Sequence, residues 1–180
     1  NNNIIDLQAF ASDADNVTSS LIFTFVSETN SSTVHCVVDS NRFIDCITQT
    51  NASGFSDVTI QVSDGSLTDT DTFRVNVTKV NDAPRISGLP DQTFAEDSGF
   101  QNNVIDLHTF ASDIDNADSA LTFTITETNV SVVDCSVDAN RFIDCVPGAN
   151  ASGFSDVTVQ VSDGSLNDTD TFRVTVTGVN

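Results

Sequence analysis

"ASGFSDVTVQVSDGSLNDTDTFRVTVT", residues 151–177, holds two runs of apolar–polar alternation separated by a turn. "VTVQV" (157–161) and "FRVTV" (172–176) put Val or Phe at every second position, the period of a strand with one buried face. "SDGS" (162–165) parts them with residues that turns favour. "LTFTI" (121–125) alternates in the same way. No segment carries a 3.6-residue apolar period over a useful length, so the chain reads as all-β.

The stretch recurs as "ASGFSDVTIQVSDGSLTDTDTFRVNVT" at 52–78. It is part of an internal repeat, in which residues 51–80 match 150–179 at 26 of 30 positions. Upstream, "IIDLQAFASDADN" (4–16) matches "VIDLHTFASDIDN" (104–116). The offset falls from 100 to 99 between Val26 and Glu28, which reads as one residue lost from a loop. Turn residues return every ten or so positions, the spacing of a seven-strand sandwich of about 100 residues. The expected architecture is two tandem Greek-key sandwiches, residues 1–80 and 81–180, the second entered by a linker at 81–84. In the second, strands are expected near 85–95, 103–109, 121–127, 132–137, 141–146, 156–162 and 170–178. Its core is expected from Leu107, Phe110, Leu121, Phe123, Ile125, Phe154, Val159, Val161, Phe172, Val174 and Val176. The first repeat offers Leu7, Phe10, Leu21, Phe23, Phe25, Phe55, Ile60, Val62, Phe73, Val75 and Val77. "NDAPRISGLPDQTFAEDSGF" (81–100) has no counterpart before Asn1, so the first unit is expected to lack its opening strand. The opening "NNNIID" reads as the middle of a longer tandem array, a mature or excised segment.

Composition narrows the function. With 26 acidic and 6 basic residues the net charge is −20, which repels nucleic acid and anionic membranes. No run of 18 apolar residues exists to span a bilayer. Enzymatic readings fare poorly. His35 and His108 are replaced in the other copy by Asp134 and Gln8 and lie in no nucleophile–base pattern. Trp and Tyr, which stack on sugars, are absent, and no phosphate loop or HExxH motif is present.

Cys36 and Cys46 flank "VVDSNRFID" symmetrically about Asn41. A three-residue hairpin loop at 40–42 would set them opposite each other, close enough for a disulfide. Cys135 and Cys145 repeat the spacing. Two local disulfides are therefore expected, with free thiols as the alternative, and they imply an oxidising, extracellular or cell-surface setting. Zinc would need more His or Cys nearby than His35 supplies. Glycosylation signals stand at Asn16, Asn30, Asn51, Asn76, Asn129, Asn150 and Asn167, where about four would arise by chance.

"SDADN" (12–16) and "SDIDN" (112–116) add acid to an already acidic chain at the same place in both repeats. In a sandwich of this topology the turns at 113–116 and 163–165 lie at the end where the chain enters. Asn81, Asp82, Asp113, Asp115 and Asp163 should converge there. Calcium reverses the sign of such a cluster, because it takes six to eight oxygen ligands. Asp57, read as a loop residue at the far end of the first unit, could add to that set. Asp13, Asp15, Asn16 and Asp64 form the equivalent group in the first unit. Solvated turns, in which Asp and Asn bond their own backbone, account for the same residues. Glu96 and Asp97 would serve a further junction.

"VNDAP" (80–84) resembles the cadherin linker, "SDIDN" the cadherin Asp-x-Asp motif, and "VQVSDGSL" (159–166) the strand ending in a further ligating Asp. The cadherin-like repeats of large prokaryotic surface proteins resemble the chain along essentially its whole length. The resemblance implies an immunoglobulin-like sandwich in a stalk, adhesin or filament of many modules, with calcium at the junctions. No Asp-Arg-Glu motif is present and the linker lacks the second Asn, which implies one or two ions per junction rather than three. Two functions are expected. One is a structural repeat whose partners are copies of itself or neighbouring repeats. The other is a calcium-dependent adhesion module gripping a surface glycan or a protein. An opening strand missing from unit 1 would leave a sheet edge open for a donated strand, a route to a polymer.

Overall fold

The structure is a computed structural model that describes residues 4–40 and 42–179. It divides into two compact units, Asn1–Val80 and Asn81–Asn180. Both are all-β sandwiches, with four single 3-10 turns and no α-helix among the described residues.

Unit 1 pairs two three-stranded sheets. β1 (Ile5–Asp6), β4 (Phe43–Thr48) and β3 (Val34–Val38) form one, in the order β1-β4-β3. β2 (Ile22–Glu28), β5 (Gly54–Ser63) and β6 (Thr68–Val77) form the other, in the order β2-β5-β6. Unit 2 is fuller. β11 (Thr122–Glu127), β14 (Gly153–Ser162), β15 (Asn167–Thr177) and β8 (Gln92–Ala95) make a four-stranded sheet in that order. β12 (Val133–Val137), β13 (Phe142–Pro147) and β9 (Gln101–Asp106) face it. β7 (Arg85–Ile86) pairs with β10 (Ala111–Ser112).

The one strand expected at 85–95 is therefore two. β7 runs antiparallel to β10, the chain bends at Gly88 (φ 81°), and β8 continues parallel to β15. Pro90 cannot donate to a ladder, which suits a segment changing sheets. The N–H groups of Ile86 and Leu89 bond carboxylates instead, Oδ2 of Asp168 at 3.0 Å and of Asp170 at 2.9 Å.

β14 and β15 form a ten-residue antiparallel ladder from Gly153↔Val176 to Ser162↔Asn167. Period two sends Ser155, Val157, Val159 and Val161 inward, all fully buried. Phe154 falls on the other parity and is 52% exposed, which corrects its expected core role. The Arg173 guanidinium lies 4.0 Å from its ring centre, while Arg173 pairs bidentately with Asp156. Phe55, 47% exposed, repeats this under Arg74 at 3.8 Å, so it too lies outside the core. Phe10 is 81% exposed. Its counterpart Phe110 is half-buried, its carbonyl accepting from Ser87 N–H, and unit 1 has no described segment in that position. The core also draws on residues absent from the expected list: Ile86, Leu89, Ile105, Val133, Ile143 and Val157.

The residue separating the repeats sits in a strand, not a loop. β2 slips register against β5 between Phe25 and Ser27, so Val26 is the extra residue of a β-bulge. Cys36↔Cys46 and Cys135↔Cys145 are direct cross-strand partners, and both pairs are disulfides. Asn41, the centre of the expected 40–42 loop, lies outside the described residues.

Candidate cation site in the acidic turns

An Asp followed by turn backbone gathers N–H groups on its own carboxylate. Asp113 does this between β10 and the 3-10 turn at Asp118–Ala120. Its Oδ1 accepts from the N–H of Asp115 and of Asn116, each at 2.7 Å, and from the Asn116 amide at 3.2 Å. Its Oδ2 is buried and has no hydrogen-bond partner among the described residues. Asp163, in the turn between β14 and β15, accepts on Oδ1 from Ser165 N–H at 2.6 Å and Leu166 N–H at 2.7 Å. Its Oδ2 accepts from the Asn81 amide at 2.7 Å. Asp115 Oδ2 accepts from Asp82 N–H at 2.6 Å. The expected residues of unit 2 thus share one end of the sandwich, with Asn81 and Asp82 tied to the two turns. The N–H of Leu166, the Asn81 amide and the N–H of Ser165 hold the Asp163 carboxyl below the usual carboxylate range.

Unit 1 repeats the turns. Asp13 Oδ1 accepts from Asp15 and Asn16 N–H at 2.8 and 2.7 Å. Asp64 Oδ1 accepts from Ser66 and Leu67 N–H, both at 2.7 Å. These N–H groups lower both carboxyls, and the negative charge of Asp13 opposes the effect at Asp64. Among the described residues no three His, Cys, Asp or Glu side chains are arranged to hold a metal ion.

Asp57 lies within β5 rather than in a loop. Both its oxygens are taken by Arg74, Oδ1 by Nε at 2.7 Å and Oδ2 at 2.9 Å, so cation binding there would have to displace that pair. Glu96 Oε1 accepts from Val179 N–H at 2.6 Å, and Asp97 Oδ1 from Asn150 N–H at 3.2 Å. Of the glycosylation signals, Asn16, Asn51, Asn76, Asn129, Asn150 and Asn167 are exposed and Asn30 is half-buried. The amide nitrogen of Asn16 bonds Asp13 at 3.1 Å, and that of Asn30 bonds Thr33 at 2.7 Å.

Sequence reasoning did not single out Asp168 and Asp170, whose carboxylates hold the crossing segment of unit 2. Their signal was available: "DTDTF" places acid on the inward parity of a strand, two and four residues before buried Phe172.

No protein-family profile matches the chain, and no curated protein sequence matches it. Solved structures do. The first two domains of human protocadherin-24 are 17% identical with a TM-score of 0.58, the match covering 93% of this chain and 85% of that one. The same domains of human mucin-like protocadherin are 16% identical with a TM-score of 0.56, covering 91% and 87%. An endo-fucoidan hydrolase of glycoside hydrolase family 107 matches at 19% identity and a TM-score of 0.41, over 89% of this chain and 24% of that one. The chain thus spans about a quarter of that hydrolase. The protocadherin likeness shows the fold: two tandem cadherin-like sandwiches.

Proposed function

We infer that the chain is a structural repeat segment of an extracellular stalk, adhesin or filament, in which each sandwich is locked by its own disulfide and calcium binds the acidic turns. The supporting observation is the repetition. Both units carry the same cross-strand disulfide and the same Asp-headed turns. A second nearly identical copy adds length rather than a new recognition surface. Disulfides persist in oxidising compartments, which supports a location outside the cell.

The donor chemistry of unit 2 fits a hard divalent cation. Asp113 Oδ2 is a buried carboxylate oxygen without a donor, an expensive arrangement unless a positive charge faces it. Asp115, Asp163, Asn81 and Asp82 supply further oxygens of the type calcium takes. Bound there, calcium would neutralise repulsion among the carboxylates. The chain's own part is to pre-set the oxygens. Backbone N–H groups fix Oδ1 of Asp113 and Asp163, and Asn81 and Asp82 are already drawn onto the turns. Loading the site would fasten the linker residues to unit 2 and so limit linker freedom.

Calorimetry with calcium and with chelator tests the cation reading. At a calcium concentration 100 times Kd, stabilisation is about 2.7 kcal/mol. Asp113→Asn should remove most of it. Identical melts, with identical proteolysis rates at 80–82, would refute it. Electron microscopy of the native material tests the structural role, with rods or fibres expected and dispersed single particles against it.

A further inference from the structure

The glycosylation signals are not equivalent once the chain is folded. The amides of Asn16 and Asn30 are engaged by Asp13 and Thr33, and Asn30 is half-buried. Asn51 and Asn150 hold turns at positive φ, 57° and 51°. Asn129 Oδ1 accepts from Ser131 N–H at 3.2 Å. Asn167 precedes Asp168, whose carboxylate is bonded to Ile86 N–H. Asn76 differs from all of these. It lies within β6 in "NVT" (76–78), it is exposed, and its side chain makes no hydrogen bond among the described residues.

The ladder sets Asn76 directly opposite Phe55. Period two sends both to the outer face, because Val75 and Val77 on either side of Asn76 pack against the core. Side chains paired in this way start about 4.5–5.5 Å apart at Cβ. The Arg74 guanidinium covers part of the Phe55 ring, 3.8 Å from its centre, yet nearly half of Phe55 stays exposed. The same face continues through the pairs Thr59↔Thr72 and Gln61↔Thr70, and the two hydroxyls of the first pair bond each other at 2.9 Å. In a chain of net charge −20 this strip is neutral and rich in hydroxyls, its Asp57–Arg74 pair cancelling internally.

We propose that Asn76 carries an N-linked glycan and that the first sugar lies against Phe55. The C–H face of a pyranose matches an exposed aromatic ring, since each sheds water on contact. The strip beyond gives the sugar hydroxyls neutral hydrogen-bonding partners. The donor is a lipid-diphosphate-linked oligosaccharide, and the catalyst is a transferase of the export route. The Asn76 amide nitrogen bonds C1 of the sugar as the bond from C1 to the diphosphate oxygen breaks. The lipid diphosphate leaves with that electron pair, and one amide proton passes to base. Unit 2 provides the contrast. Phe154 under Arg173 is the same platform, but Thr175 stands opposite it. β8 flanks β15 there and Thr175 is still only half-buried, so the outer face does not depend on what lies beside the strand. The proposal shares with the stalk reading only passage out of the cytoplasm, and it needs neither calcium nor polymerisation.

The test uses the full 180-residue chain secreted by N-glycosylating cells. Trypsin cuts after Arg74 and Lys79, so the peptide 75–79 reports on Asn76 alone. Mass spectrometry should find that peptide glycosylated in most copies. It should be unmodified in Thr78→Ala, which destroys the signal and leaves Asn76 and Phe55 in place. In nuclear magnetic resonance the ring should shift protons of the first sugar upfield, and Phe55→Leu should abolish that shift without lowering occupancy. Unit 1 of the natural chain should melt about 4 °C above unit 1 of Thr78→Ala, and the gap should close in the Phe55→Leu background. Thr175→Asn completes the same signal in unit 2 and should add a second glycan with a similar rise in the unit 2 transition. An unmodified 75–79 peptide from the natural chain overturns the proposal. So does a glycan whose proton shifts and melting effect survive Phe55→Leu. Neither result touches the stalk reading, which stands or falls on microscopy of the native material.

Discussion

Arg173 serves two neighbours, stacking over Phe154 and gripping both oxygens of Asp156. The guanidinium hydrogen bonds hold the Asp156 carboxyl below its ordinary value, and Arg74 does the same to Asp57. A carboxyl depressed on folding stabilises the fold above its unfolded pKa, about 3.9, and the contribution is lost as pH falls through the lower folded value. The melting difference between the natural chain and Arg173→Gln should therefore be constant from about pH 7 to 5 and shrink below about pH 4. The remainder is the stacking on Phe154, which protonation of Asp156 leaves in place. A difference that grows on acidification would contradict the assignment. Residues of the turns were legible because Asp and Asn at "SDIDN" and "SDGS" have a local mechanism. Phe154 was not, because its apolar character suggested the core while its parity placed it outside.

The disulfide hairpin is the most sharply specified element. Each bridge closes a loop with a sequence separation of 10, worth about 3 kcal/mol or less in chain entropy. Cys135→Ser with Cys145→Ser should destabilise unit 2 by about 2–3 kcal/mol, measured by denaturant unfolding against the natural chain. The loss also includes packing, since Cys145 is fully buried and Cys135 nearly so. An unchanged midpoint would show the bridge to be dispensable. Strand alternation and cysteine symmetry made these elements readable. The bulge at Val26 showed in the sequence only as a change of offset, which a loop or a strand explains equally well. The division of 85–95 between two sheets was hidden for a physical reason. Its N–H groups are satisfied by Asp168 and Asp170 on β15, so no alternating pattern marks the crossing.

At the scale of the molecule the two units are unequal despite their matching sequences. The core of unit 2 holds seventeen buried residues, that of unit 1 seven, among the described residues. Phe172 is 1% exposed, whereas Phe73 only packs against its cluster half-buried. Calorimetry should resolve two transitions, the lower belonging to unit 1. Phe172→Ala should lower the upper one by about 3–5 kcal/mol of stability, and Phe73→Ala should move the lower one by less. A single transition shifted equally by both variants would refute the inequality. Repetition made the tandem plan legible from sequence, whereas the difference between the two cores lies in packing that matching sequences do not show.

The parallel pairing of β8 with β15 has a mechanical consequence. These strands stand near the start and the end of unit 2, so tension along the chain pulls them in opposite directions along their common axis. Their ladder is then loaded in shear, with all its bonds resisting together, rather than being unzipped one at a time. In unit 1 the described residues pair β6 only with its hairpin neighbour β5, so stretching these 180 residues should extend unit 1 before unit 2.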